Sequence, residues 1–528
     1  MASESKEGSE LDTNNTTYYA MITGTPHAIN RREIPYLNAD EKRDLQKGLY
    51  DYYSSRMSEV ATRTLIHDIL STPKQVNRGS GSYGMVISPA LPNTIHGKQY
   101  RFPNQVTKLI YLKKTRKNTL NTANTIRREV PELYYNILPY ERPVTLSNIS
   151  NPEIKTKLKE RISKKAHVSV NTLTNNTELY PVRMKDMGYS IGSYYDSIYR
   201  LPGGDLYKSI LRIPFRTILQ NMSNLAGIVN TMYERGYAHL DIRETNVLVN
   251  PNSGELHIID FDFFMKLSDY YTKYTNIFYA HPVEEAILKI QDNRDVLETI
   301  MMNPIDFTHI PKVLYKKLYK IIEPQCTVLY HGFQPFSGPS VNEFIDLILR
   351  EEFIPGLEQF KIFIYTTYGP PTKDTREVYI ENYISVMYNN LLRTLDSYGL
   401  GIALQYLIKI YDYYGKLPNT KAITAYYPWL NNNSKHINKF KEVMEIVIDY
   451  IERLTTFNIT ERFVASDFKS AIDSVLDDYN TFYRTEGLPT VSKRPLTYRF
   501  TRSKNMRRQM TPIEEVNETD SSRRSRSK

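Results

Sequence analysis

The sequence predicts an α+β chain: a small β-rich part, then a larger helical part carrying a long helical insert. Three observations predict it. Residues 105–112 (Gln105-Val106-Thr107-Lys108-Leu109-Ile110-Tyr111-Leu112) read as a strand, as does Met85-Val86-Ile87-Ser88-Pro89 before it. Residues 218–235 show apolar helical spacing and stop at Gly236, a good helix C-cap. Beyond residue 285 the patterns are almost all helical.

The segment after that helix carries the chemistry. His239-Leu240-Asp241-Ile242-Arg243-Glu244-Thr245-Asn246 places an amide five residues after a carboxylate, and Asp260-Phe261-Asp262 supplies a second carboxylate. Residues 247–249 and 256–259 read as short strands joined by Asn250-Pro251-Asn252-Ser253-Gly254, a turn sequence. Such a hairpin brings Asp241, Asn246 and Asp260 to one mouth. Phosphoryl transfer from a magnesium nucleotide needs this set: one acid orients the attacking hydroxyl, while an amide and another acid hold the metal. Two buried strands with acids at their ends are the bland alternative.

Upstream, Arg78 precedes Gly79-Ser80-Gly81-Ser82-Tyr83-Gly84-Met85-Val86. Alone, Gly-x-Gly-x-x-Gly is a weak signal. Here it leads into a strand, and no helix and ribose-binding acid follow at dinucleotide-fold spacing. A glycine-rich hairpin over phosphates fits, because missing side chains let backbone N–H groups approach oxygens. Lys108 interrupts an apolar strand and needs an anionic partner, since an unpaired buried ammonium is costly. An edge-strand lysine reaching solvent is the competing explanation.

Together these residues resemble a eukaryotic-type protein kinase of the serine/threonine kind, and the resemblance implies a bilobed protein-kinase-like fold with a β-rich N-lobe and a larger helical C-lobe. It implies ATP and Mg²⁺ as cofactors. Residues from Arg78 to Val86 would cover the nucleotide and Lys108 would touch its phosphates. Glu129 would pair with Lys108, preferred to Glu132 because Leu133 and Ile137 follow Glu129 at four-residue steps. Asp241 would be the catalytic base, with Asn246 and Asp260 holding magnesium. Pro282-Val283-Glu284 resembles the end of an activation segment, and Arg462 resembles the late arginine that pairs with Glu284. Asp396-Ser397-Tyr398-Gly399-Leu400-Gly401 resembles the opening of the family's buried central helix, whose acid holds the catalytic loop.

The chain also departs from the family. Leu240 stands where an arginine usually receives an activation-loop phosphate, so that switch is expected to be absent and activity constitutive. Asp262 replaces a glycine and removes a flexible hinge. Arg243 stands at the place of a lysine and can still neutralise a moving phosphoryl group; it favours Ser/Thr over tyrosine substrates. A small-molecule phosphotransferase with a kinase-like core is the runner-up, because Ile259-Asp260-Phe261-Asp262 suits it. The Pro-x-Glu, Asp-x-aromatic-x-x-Gly and late-arginine trio argues for the protein kinase. A catalytically inactive scaffold is the third alternative.

Of the formal net charge of +10 over 528 residues, seven lie beyond residue 490, where eleven Lys/Arg face four Asp/Glu. The basic balance therefore describes a tail, 486–528, rich in Arg and Ser, expected to be disordered. It suits nucleic-acid contact, nuclear targeting or autophosphorylation, or merely solvates the chain. Residues 1–17 are polar and expected to be disordered, with no apolar signal core. No stretch has the ~18 apolar residues a membrane span needs. With one cysteine, Cys326, an intrachain disulfide is excluded, and an intracellular setting is expected.

The expected organisation is an N-terminal extension over 18–70 with helix near Ala39-Asp40-Glu41-Lys42, an N-lobe over 71–183 and a C-lobe over 184–480. Lys113-Lys114-Thr115-Arg116-Lys117 reads as a basic loop, and residues 180–188 as the hinge that meets adenine. An insert over 286–395 is expected to dock a protein substrate or partner, or only to pad the lobe. Its sequence predicts helices over 310–322, 340–352 and 381–394 and a strand over 360–368. Forty-three tyrosines, with abundant Asn, Ile and Lys, add a similarity to kinases of large cytoplasmic DNA viruses, which would imply host cytoplasm or virion.

Overall fold

The computed structural model describes most residues between 76 and 486; at the N-terminal side of these only a few isolated positions are described, and 487–528 lie outside. The helix near residue 39, the two terminal tails and Gly81, Ser82 and Tyr83 thus fall outside the described residues. One compact unit runs to Asp477. A second begins at Asp478, and its described residues are helical as far as Thr485.

The β-rich part is an antiparallel sheet. Its main strands are β1 (Val76–Ser80), β2 (Gly84–Ser88), β3 (Gln105–Ile110), β4 (Ile137–Pro139) and β5 (Glu178–Lys185), in spatial order β1-β2-β3-β5-β4, and a short sixth strand, Val144–Thr145, also pairs with β5. Lys108 lies mid-sheet, opposite Val86 on one side and Val182 on the other. Gly84 pairs with Ile110, and a Cβ there would stand 2.6 Å from the Leu109 carbonyl oxygen. Only glycine allows that approach. One face of the sheet buries Met85, Ile87, Leu109 and Leu179 against Leu158 and Ile162 of helix α2 (Pro152–Ala166). Asn151 caps α2 by accepting the Glu153 and Ile154 amides.

Helix α1 (Lys113–Glu129) follows β3 directly. The expected basic loop at Lys113 to Lys117 is instead its first turn. The helix buries Thr119, Ala123 and Ile126, whose spacing gives it an apolar stripe stronger than the cost of N-terminal cations. Pro131 ends the helix, because proline lacks the N–H a further turn needs.

The helical part contains α3 (Ile191–Tyr199), α4 (Phe215–Glu234), the hairpin β6 (Val247–Val249) and β7 (Leu256–Ile258), α5 (Glu284–Lys289), α6 (Lys312–Phe333), α7 (Ile354–Tyr368), α8 (Arg376–Gly415), α9 (Ser434–Thr455) and α10 (Ala465–Thr485). α4 ends as its sequence predicts, with Gly236 at φ 74°. α8 packs against α3, α4 and α9, and its residues 394–400 are all buried. A helix enclosed on every side reads as continuously apolar. Gly399 lets the segment around Ile242 lie against it: a Cβ there would meet the Ile242 carbonyl oxygen at 2.5 Å.

Two expectations about the insert change. Residues 360–368 belong to α7, not to a strand; Ile354, Leu357, Phe360 and Ile364 are buried at three- and four-residue steps, while Ile362 and Phe363 face out. β-branched residues had suggested a strand, and packing overrode that preference. The helix expected over 381–394 is also longer, since α8 runs unbroken from Arg376 to Gly415. Among the described residues no helix is long and apolar enough to cross a membrane.

Candidate active site

The hairpin does what its turn sequence implies. Val247 pairs with Ile258, and the Ile259 amide donates to the Asn246 carbonyl at 2.9 Å, so the residues flanking β6 and β7 emerge side by side. Asn246 Nδ2 donates to the Asp241 carbonyl at 2.8 Å and to Asp241 Oδ2 at 2.7 Å. That leaves the amide oxygen of Asn246 outside both bonds.

Lys108 reaches this cluster from the sheet. Its Nζ lies 2.7 Å from Asp260 Oδ1 and 3.8 Å from Asp262 Oδ2. The lysine is 8% exposed, so the two carboxylates balance a charge that is nearly out of water. Asp260 itself has φ 65°, a left-handed conformation an L-residue adopts only when its surroundings hold it there.

His239 joins the Asp241 segment to the end of the hairpin. Its Nδ1 accepts the Asp241 amide at 3.2 Å, so Nε2, 3.1 Å from the Ile259 carbonyl, is the protonated nitrogen. Phe261 packs edge-on against its ring at 4.5 Å. Asp396, at the centre of α8, accepts the His239 amide at 2.6 Å and the Leu240 amide at 2.9 Å. Arg462 makes a two-pronged, fully buried ion pair with Glu284. These are the contacts that the resemblance implies for Asp396, Glu284 and Arg462.

The carboxylates titrate differently. Burial pushes the Asp241 pKa above the ordinary carboxylate value, with Arg243, His239 and the Asn246 hydrogen bond partly opposing it. Asp241 Oδ1 stands 3.1 Å from Arg243 Nε in an ion pair without hydrogen-bond alignment, so this buried oxygen is available to accept a proton. For Asp260, burial again favours the neutral acid, but the Lys108 charge and hydrogen bond, with His239 and Arg243, together hold its pKa below the usual value. Burial raises the pKa of Asp262, against the pull of Lys108.

One expected pairing is not formed. Glu129 does not meet Lys108. It is the last residue of α1, where its carboxylate accepts from Arg128 Nε at 2.6 Å and its carbonyl accepts from Arg235 Nη1 at 2.6 Å. Leu133 lies in a separate turn and Ile137 on β4, so the four-residue steps that favoured Glu129 do not continue a helix. No acidic residue precedes Glu129 in α1, and the carboxylates beside Lys108 come from Asp260 and Asp262. Arg78 lies on β1 beside Gly79. Its guanidinium donates to Asp186 at 3.1 Å and stacks over Tyr189 at 4.0 Å, which ties β1 to the segment after β5. Of the glycine-rich stretch, Gly79 and Ser80 lie on β1, and Gly84, Met85 and Val86 on β2, one strand over from Lys108.

The donor set suits a magnesium ion: a carboxylate oxygen of Asp260, the amide oxygen of Asn246 and the neighbouring Asp262 are hard oxygen ligands. Among the described residues no three His, Cys, Asp or Glu side chains converge to hold a metal alone. Phosphate oxygens and water would complete the shell, as Mg²⁺ prefers.

In the sequence Asp262 stands out only as a lost glycine. The absence of an acid from the first sixteen residues of α1 is the signal that another carboxylate must serve Lys108. A cavity of about 1090 Å³, lined by Glu352, Gln405, Asp412, Glu452 and Arg453 among others, lies away from this cluster. The convergence of side chains, not cavity size, locates the site.

No family model matches the chain, and no curated protein matches it. Among solved structures it overlaps with the crystal structure of a Stt7 homolog from Micromonas algae soaked with ATP, at 12% identity over 76% of this chain and 93% of that one, with a TM-score of 0.32. So loose an overlap assigns no function; the geometry of the site itself must carry any functional reading.

Proposed function

We propose that the chain is an ATP-dependent protein kinase that phosphorylates serine and threonine hydroxyls. One observation supports this above the rest: Lys108 meets Asp260 across 152 residues, Asn246 meets Asp241, and the backbone of Ile259, next to Asp260, ties the two pairs together at the Asn246 carbonyl.

In this reading Lys108 touches the nucleotide phosphates, with Gly84 and Val86 on the neighbouring strand β2. Asn246 and Asp260 would hold Mg²⁺, which when bound screens phosphate charge. Asp241 Oδ1 accepts the hydrogen bond of a substrate hydroxyl and points its oxygen at the γ-phosphorus. A bond forms from that oxygen to phosphorus, the bond to the bridging oxygen breaks, and the hydroxyl proton passes to Asp241. Arg243, beside Asp241, offsets charge on the moving group. Positioning and fixed charge supply most of the rate.

The Glu284–Arg462 pair and the Asp396 clamp favour a protein substrate over a small molecule, as they belong to the set of features that protein kinases add to the shared core. The test is transfer of labelled γ-phosphate from MgATP to a generic basic or acidic protein, followed by phosphoamino-acid analysis. Phosphoserine or phosphothreonine from the parent, absent with Asp241→Asn, is the expected result. No transfer to any protein, with MgATP still bound, would leave the scaffold reading.

A further inference from the structure

Leu240, just before Asp241, has φ 65° and a side chain only 1% exposed. A left-handed leucine persists only where neighbours over-determine it. Its amide is held by Asp396. Its carbonyl is held from the opposite direction by His281 Nε2 at 2.9 Å. His281 Nδ1 lies 2.8 Å from Glu285 Oε2, and the Tyr270 hydroxyl donates to Glu285 Oε1. His281, Glu285 and Tyr270 are all buried.

Both ring nitrogens of His281 therefore face oxygen acceptors. A neutral imidazole donates through only one nitrogen; the imidazolium donates through both. Among the described residues, groups around the ring include the Glu285 carboxylate on α5, the Leu240 carbonyl, Asp396 on α8 and, through Glu285, the Tyr270 phenol. Burial alone works against the charged ring, yet Glu285, the Leu240 carbonyl and Asp396 together raise its pKa. His281 and Tyr270 both belong to the stretch between Asp260 and Glu284, and Glu285 lies in the first turn of the helix after it.

We propose that His281 is a positioning residue for Asp241: braced by Glu285 and Tyr270, it clamps the Leu240 carbonyl and sets the catalytic loop without any added phosphate group. This rests on the reading of Asp241 as acceptor of the hydroxyl proton and explains how a chain with leucine at position 240 keeps that acid aimed. The segment after Asp260 carries its own cation and needs none recruited by modification.

The experiment compares the full chain with His281→Leu, His281→Gln and Tyr270→Phe by amide hydrogen exchange over residues 238–243, by turnover, and by MgATP affinity. In His281→Leu, exchange at these amides should rise about tenfold as the clamp opens. Turnover should fall about a hundredfold for the loss of aim, with MgATP affinity within about twofold of the parent. His281→Gln, which keeps a donor for the Leu240 carbonyl, should restore most of the loss, and phosphatase treatment of the parent should leave turnover unchanged. Unchanged exchange in folded His281→Leu, equal losses of turnover and MgATP affinity with no rescue by glutamine, or inactivation by phosphatase would each overturn the proposal. If His281→Leu does not fold, Tyr270→Phe decides: faster exchange supports the clamp and unchanged exchange refutes it. A parent that transfers no phosphate would fail the kinase reading, while the exchange measurement would still decide the clamp.

Discussion

Lys108 Nζ stands 2.7 Å from Asp260 Oδ1, across a sequence distance of 152 residues, and so joins the middle of the sheet to the end of the β6–β7 hairpin. An ammonium so nearly enclosed is tolerated only with its carboxylates in place. Both the cohesion of the site and its proposed chemistry depend on this contact.

Lys108→Met removes the cation but keeps an apolar stem of similar length. Turnover should fall by about a thousandfold, the scale seen when one charge-stabilising donor is removed from a closed site. A labelled-phosphate assay checks this, and near-parental turnover would dismiss the lysine's assigned part.

Asp262→Asn tests the second carboxylate near Lys108. With no acid in α1 before Glu129 to take its place, weaker holding of the lysine should raise KM for MgATP by about fivefold to a hundredfold, the range of a one-to-three kcal/mol coupling. Glu129→Gln, whose carboxylate lies on Arg128 instead, should leave KM unchanged. Steady-state kinetics on both variants separates the two positions; a larger effect at Glu129 would return the lysine's partnership to α1.

Asp241 should show its raised pKa in the pH profile. The base must be ionised to accept a proton, and burial favours its neutral form. As pH falls, activity should therefore be lost at higher pH than an exposed aspartate would cause. The same burial makes the charged side chain costly to the fold at neutral pH. Asp241→Asn should abolish turnover while leaving the melting temperature at or above the parent's, as when a strained functional group is removed. A marked drop in melting temperature would show that Asp241 is structural.

Arg462→Leu would strand Glu284, fully buried, without its partner. Destabilisation of about 3–5 kcal/mol is expected, and the double variant Arg462→Leu with Glu284→Met should recover much of it, because the pair's cost lies in leaving one charge alone. Urea unfolding measures both. An Arg462→Leu protein as stable as the parent would place the pair outside the core.

Gly84→Ala would push a methyl group against the Leu109 carbonyl. Overpacking of this kind costs about 1–3 kcal/mol and displaces β2 from β3, which carries Lys108. MgATP affinity should fall along with stability in thermal-shift titrations; an unchanged affinity would separate β2 from nucleotide binding.

Short-range patterns were legible from the residues alone. The hairpin at 247–258 follows from two β-prone runs around an Asn-Pro-Asn-Ser-Gly turn, and α4 follows from its apolar spacing and Gly236. The Glu284–Arg462 pair was legible only through resemblance, since nothing local couples positions 178 residues apart. The strand assigned to 360–368 failed because burial there follows helical steps, with Phe360 and Ile364 inside and Ile362 and Phe363 outside, a fact of tertiary packing.

The sequence by itself singled out the side chains proposed for phosphoryl chemistry: Lys108 on its strand, Asp241 and Asn246 at their five-residue spacing, and Asp260 after the hairpin. The tertiary structure alone decided which acids meet Lys108 and what holds Leu240. The rotation of α1, its stop at Pro131 and the fold of the segment from Asp260 to Glu285 are set by packing between elements distant in the chain. No local periodicity encodes which of two carboxylates an ammonium finally faces.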